Sequence, residues 1–328
     1  MSETAQAARP LVYDTCGIMP TPEVMGHWFR IISQNEAYLR VFWRGFAHWA
    51  ELDKAAYFDL FDRLGHKRAV EELCERIATR RTTGVDAFVE VMDENGIGTM
   101  VLQNGHYKGA LGVDPVPYEY YTEIAQRHPG RFTLLAGIDP TLGAQGVRNL
   151  DRCINELGYA GMFVVPFFHR THAFDECWQP LFKRCEELGA PVWLHSTANW
   201  NPEMPYDSSN PGVVDKIAIR YPKLKIMAGH AGWPWVAEMA TVAWRHPNVY
   251  IEVSAFRPRN MTDPGYGWNP LLYFGKGPLA DKIMFGSTWH LLNMPLKALF
   301  QEVRDLPIPP HLAEKWIGTN AARLFAKA

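Results

Sequence analysis

From residue 97 onward, short apolar, β-branched runs alternate with segments of helical periodicity. The runs are Ile97–Gln103, Phe132–Asp139, Gly161–Pro166, Pro191–Ser196, Lys225–His230, Val249–Ala255 and Lys282–Thr288. They begin roughly 24–36 residues apart, the length of one strand-plus-helix unit. Between them, Leu150, Cys153, Ile154 and Leu157 follow the i, i+3, i+4, i+7 spacing of a helix with one buried face. Val85, Phe88, Val89 and Met92 do the same ahead of the first run. Gly96, Gly158 and Gly189 stand where helices should end. The runs alternate little between apolar and polar, as expected of parallel strands covered on both faces. With Leu11–Asp14 as the first strand the count is eight. The pattern therefore predicts one (β/α)8 TIM barrel over residues 1–328.

One stretch breaks the rhythm. Residues 21–83 are too long for a loop between the first two strands and too apolar for disorder. They hold His27-Trp28-Phe29, Val41-Phe42-Trp43, His48-Trp49 and Tyr57-Phe58. This reads as a helical insertion over the C-terminal mouth of the barrel, either a lid or a contact between subunits. Residues 1–10 read as a loose tail.

Composition narrows the function. Apolar residues make up 47% of the 328, enough for a large core, and the formal net charge is −2. No block of like charge stands out, which argues against nucleic acid and anionic membranes as partners. No apolar stretch approaches the length of a membrane span. Five cysteines without a C-x-x-C pair fit a reducing, cytoplasmic setting. Twelve tryptophans are many for this length. Most would fill core, and some could line a pocket for a flat substrate.

Barrel active sites form where the strands end, which yields a short set of candidates. The first strand ends near Cys16, and the second is followed by His106. The fourth leads to His169, Arg170 and His172. The fifth ends in His195, the sixth in His230, the seventh carries Glu252, and the eighth runs into Thr288, Trp289 and His290. Six of the twelve histidines thus fall at one mouth, and imidazole is the side chain best poised for proton transfer near neutral pH.

The stretches RYPKLKIMAGHAGWPWVAEM and HPNVYIEVSA resemble the amidohydrolase-related (amidohydrolase-2) family. So do PVWLHS at Pro191–Ser196, IMFGST at Ile283–Thr288 and GTNAARLF at Gly318–Phe325. YDTCGIMP at Tyr13–Pro20 stands where that family opens with D-x-H-x-H. The resemblance implies a metal-binding barrel enzyme: a decarboxylase, a hydratase, or a lactone or amide hydrolase. It also implies four metal ligands, of which this sequence keeps only His195. Cys16 and Ile18 replace the two histidines of strand 1, and Thr288 replaces the aspartate of strand 8. Isoleucine ligates nothing and threonine is a poor ligand for zinc or manganese.

The sequence therefore predicts an enzyme that works without metal or cofactor. His195 and His230 would carry protons, with Glu252 orienting His230 or sharing its proton. Cys16, His106, His169, Arg170, Thr288, Trp289 and His290 would contact a small aromatic or unsaturated substrate. Arg170 could grip a carboxylate; Cys16 could be a nucleophile or merely buried. Asp14 is expected to support the strand-1 turn. Hydrolysis of a lactone or ester C–O bond is the leading expectation, since an activated carbonyl needs only base-assisted water and a polarising donor. The alternatives are a decarboxylase or other C–C lyase, a non-catalytic ligand-binding relative, and a hydrolase with a zinc site rebuilt around Cys16. A homodimer or higher homo-oligomer is expected from the family and the apolar insertion.

Overall fold

The computed structural model describes residues 12–79 and 84–326; the tail at residues 1–10, Leu11 and the end of the insertion at residues 80–83 lie outside the described residues. Eight parallel strands form one sheet in the order β1 to β8: β1 Val12–Gly17, β2 Ile97–Asn104, β3 Phe132–Gly137, β4 Gly161–Val164, β5 Val192–His195, β6 Ile226–Gly229, β7 Val249–Val253 and β8 Ile283–Phe285. Each neighbouring pair is joined through a crossover that contains helix, the arrangement that rolls a parallel sheet into a barrel. β8 returns to β1 through the Thr288 N–H, which donates to the Cys16 carbonyl at 2.9 Å. Asp14 tightens this seam: its carboxylate accepts from the Ser287 N–H at 2.8 Å, from the Ser287 hydroxyl and from the Cys16 N–H at 3.1 Å. That is the supporting role expected of it.

Both periodic segments fold as helices, with Leu157 two residues past the end of its own. Helix Ala144–Asn155 buries Leu150 and Cys153, and helix Gly84–Glu94 buries Val85, Phe88 and Met92. Gly96, Gly158 and Gly189 all sit at positive φ. The strands stop two or three residues short of the apolar runs at β3, β4, β7 and β8, where the residues that follow turn off to shape the mouth.

Among the described residues, four inserted helices follow β1 ahead of the helix Gly84–Glu94 that leads into β2: α1 Pro22–Ile32, α2 Glu36–Val41, α3 Trp43–Trp49 and α4 Lys54–Thr79. Thr21 caps α1 through the Val24 N–H, and Pro22 takes the first helical position, where its missing N–H costs nothing. α4 bends at Gly65, whose φ of 71° is open to glycine at little steric cost. Aromatic contacts hold these helices to the barrel. Trp28 meets Phe163 edge-on at 5.8 Å, and Tyr38 stacks on Phe167 at 6.1 Å. The Trp49 indole N–H donates to the His290 carbonyl at 3.0 Å. Among the described residues, no helix is long and apolar enough to cross a membrane.

Candidate active site

The strand ends and α1–α3 enclose a cavity of about 430 Å³. Its walls are mostly aromatic: Trp28, Tyr38 and Phe42 from the inserted helices face Phe163, Phe167 and Trp193 from the barrel, with Trp200 and Trp233 on the loops. Polar groups enter from the barrel floor through Cys16, Gln103, His195, His230, Thr288 and His290, and Arg44 of α3 reaches the edge.

His195 ends β5 and His230 directly follows β6, whose Gly229 pairs in register with His195. Their rings meet edge to face with centroids 5.1 Å apart. Burial and the neighbouring His230 hold His195 well below the ordinary imidazole value. Burial lowers His230 to about 4 and His290 to about 3. All three are therefore neutral imidazoles near pH 7, with one donor and one acceptor nitrogen each.

Behind His230 lies a chain of hydrogen bonds. The Ser254 hydroxyl is 2.8 Å from His230 Nδ1 and donates to Glu252 Oε2 at 2.8 Å. Glu252 also accepts from the Thr15 hydroxyl at 3.0 Å and from the His230 N–H at 3.3 Å. Glu252 is fully buried, and burial raises its carboxyl to about 7. Gly286 of the β8 end makes room for it: a β-carbon there would lie 2.5 Å from Glu252 Oε1 and 2.5 Å from Cys16 Cβ. The backbone beyond β6, β7 and β8 is held at positive φ at His230 (61°), Ala255 (62°) and Thr288 (42°). Such strain in non-glycine residues gathers at working sites.

The structure brings together five of the ten residues read from the sequence as cavity contacts, Cys16, His195, His230, Thr288 and His290, and places Glu252 directly behind them. It corrects the other four. His106 stacks flat on Tyr118 at 3.9 Å, away from the cavity. His169 is buried between Tyr107 and Trp178, its Nδ1 3.8 Å from Asp139. β4 ends at Val164, and the tight turn Pro166–His169 aims Phe167 and Phe168 inward instead. Arg170 follows at φ 56°, exposed and 3.8 Å from Glu203. Trp289 packs between Trp49 and Phe88. The expected histidine cluster thus reduces to three at the cavity. Of the two readings of Cys16, its burial favours the inert thiol over the nucleophile. Burial raises its thiol far above the ordinary range, which disfavours the thiolate. Ser254 and Gln103 were missed. The alternation in VYIEVSA was a signal for Ser254, since residues two apart on a strand face the same way.

A model of the amidohydrolase family (Amidohydro_2) matches residues 48–327. The gamma-resorcylate decarboxylase of a Polaromonas species is 26% identical over 275 residues, covering 64% of this chain and 78% of that one. A TIM-barrel protein from Bordetella bronchiseptica, of uncharacterised function, superposes with a TM-score of 0.66 at 22% identity, over 96% of this chain and 98% of that one. The 5-carboxyvanillate decarboxylase of Novosphingobium aromaticivorans, complexed with manganese, does so with a TM-score of 0.62 at 17% identity, over the full length of both.

The donors in this chain do not suit such an ion. Where the family resemblance places ligands, Thr288 Oγ1 donates to the Cys16 sulfur at 3.4 Å, and the Gln103 amide lies 3.6 Å from the same atom. These groups are neutral and engaged with one another, and Ile18 offers nothing. Among the described residues, no group of three or more His, Cys, Asp or Glu side chains is placed to hold a metal.

Proposed function

This chain belongs to the amidohydrolase family, and on that footing we propose that it is a carboxy-lyase that removes CO2 from a small aromatic or unsaturated acid without a divalent metal. The observation that carries this reading is the union of an aromatic-walled cavity with neutral imidazoles backed by a buried carboxyl.

Two demands define a non-oxidative decarboxylation. The carboxylate must be drawn out of water, because its charge is lost as CO2 leaves. A proton must then reach the carbon left behind. Apolar walls serve the first demand by making the charged ground state less comfortable than the neutral products. His230, with Ser254 and Glu252 behind it, serves the second. His195, at right angles to His230, is placed to hold a phenol or enol oxygen on the same substrate.

Hydrolysis fits the same residues less well. It needs an activated water and a group that polarises the carbonyl. Burial holds Cys16 as a thiol, Arg44 is exposed at the cavity edge, and Arg257 is paired with Glu302. The decarboxylases among the relatives favour C–C cleavage as well. The expectation of lactone or ester hydrolysis therefore yields to what began as its alternative.

The test is a panel of aromatic acids, beginning with gamma-resorcylate and 5-carboxyvanillate, and of aryl lactones and esters. CO2 release and ester cleavage are followed in chelator-treated enzyme. Decarboxylation is expected, and His230→Asn should lower kcat by about 10²–10⁴-fold. Ester or lactone turnover without CO2 release would overturn the reading, as would activity that returns only with added metal.

A further inference from the structure

We propose that Ser254 is a positioning residue that couples Glu252 to His230, so that the imidazole exchanges one neutral tautomer for the other as a proton passes between the buried carboxyl and the cavity. The destination of that proton rests on the carboxy-lyase reading; the coupling itself does not.

The geometry is specific. Ser254 Oγ sits 2.8 Å from His230 Nδ1 and 2.8 Å from Glu252 Oε2, and both Ser254 and Glu252 are wholly buried. A hydroxyl has one proton and two lone pairs, so it can face either way along such a chain. With Glu252 ionised, Ser254 donates to the carboxylate and accepts the Nδ1 proton. His230 then carries its lone pair on Nε2, as a base. With Glu252 protonated, the carboxyl donates to Ser254 and Ser254 donates to Nδ1. His230 then carries its proton on Nε2, as an acid. Neither state places a charge on the imidazole, which burial disfavours here. The groups closest around the chain are Thr15 and Cys16 on β1 and Trp193 and His195 on β5; the Trp193 ring meets His230 edge-on at 5.1 Å.

The step balances. The carboxylate carbon leaves as CO2, and its bonding electrons stay on the substrate carbon. The Nε2–H bond of His230 breaks as that carbon takes the proton. Nδ1 takes the proton of Ser254, and Ser254 takes the proton of Glu252, which becomes a carboxylate. One proton has moved from Glu252 to product. A water entering the emptied cavity then gives a proton to Nε2, Nδ1 returns its proton to Ser254 and Ser254 returns its own to Glu252; the hydroxide left behind combines with the released CO2 as bicarbonate.

The experiment uses full-length, ligand-free protein with ¹⁵N-labelled histidine and reads the tautomer of His230 by NMR. Wild-type His230 is expected to be neutral near pH 7. Ser254→Ala should redistribute its tautomers, and Ser254→Thr, which keeps the hydroxyl, should restore the wild-type spectrum. Ser254→Cys, close in size but a weak hydrogen-bond partner, replaces the alanine variant if that one fails to fold. On the acid that wild type decarboxylates, Ser254→Ala should lower kcat about 100-fold with KM within about threefold. Wild-type kcat is expected to depend on deuterium content along a curve, since more than one proton moves together; in Ser254→Ala that dependence should become linear, and Ser254→Thr should recover to within about fivefold. An imidazolium at neutral pH, or a tautomer indifferent to the loss of the hydroxyl, overturns the coupling. If no acid of the panel turns over, the carboxy-lyase reading fails and the NMR result still decides the coupling.

Discussion

The two sides of the barrel mouth each bury a carboxyl, and the two have different work. On the β1–β8 side Asp14 is raised to about 6, and on the β6–β7 side Glu252 is raised to about 7, in both cases chiefly by burial. Asp14 is met by the Ser287 N–H, the Ser287 hydroxyl and the Cys16 N–H, and beyond them the bonds reach only the Trp289 backbone N–H, 3.4 Å from the Ser287 hydroxyl. Glu252 is met by a serine whose other partner is a histidine on the cavity wall. Burial alone therefore does not make a carboxyl chemical. What matters is whether its hydrogen bonds lead to the place where substrate sits. The side where the resemblance implies a metal has become a structural seam, and the adjoining β6–β7 side keeps a path for protons.

This contrast can be broken or sharpened by experiment. The largest effect on stability should come from Asp14→Ala. It strips the acceptor from two buried N–H groups and a hydroxyl, and should cost about 3 kcal/mol in denaturant unfolding. A loss of activity with unchanged stability would reverse the roles assigned to the two sides. Acid should act next. His106 and His290 are held near 3 and His169 and His230 near 4, below the ordinary value of 6.5. As pH falls below 6.5 the unfolded chain takes up protons that these histidines refuse, so stability should drop down to about pH 4, by at most ~1.4 kcal/mol per pH unit for each. Glu252 and Asp14 act with the opposite sign. Their raised values favour folding at low pH, and that contribution fades as pH rises through about 7 and about 6. The histidines outnumber them, so thermal unfolding from pH 6.5 to 4 should show a net loss. The smallest effect belongs to Cys16→Ala, which should leave kcat within about threefold of wild type, because a neutral buried thiol takes no part in proton transfer. A loss of a hundredfold would move the chemistry to the seam.

Much of this was legible in the sequence. The eight strands were written in apolar runs at near-constant spacing, and His195, His230 and Glu252 followed from the rule that barrel sites form at strand ends. The four misplaced residues share one cause. His106, His169, Arg170 and Trp289 lie beyond strand ends, in turns whose path depends on local backbone angles rather than on any period. At β4 the turn Pro166–His169 put two phenylalanines where the histidines were expected. Ser254 was hidden for a different reason. Serine carries no charge and titrates nothing in the ordinary range, so its importance appears only once both neighbours are in place. The aromatic wall was visible as composition, but its division between α1–α3 and the barrel needed the fold.

The cavity wall also has an optical consequence. Trp28, Trp193, Trp200 and Trp233 all face the same space. An aromatic acid that absorbs in the near ultraviolet would sit against several of them at once and drain their excitation. The protein thus carries an intrinsic dye at its own binding site, and ligands can be screened by the dimming of its fluorescence before any reaction is known.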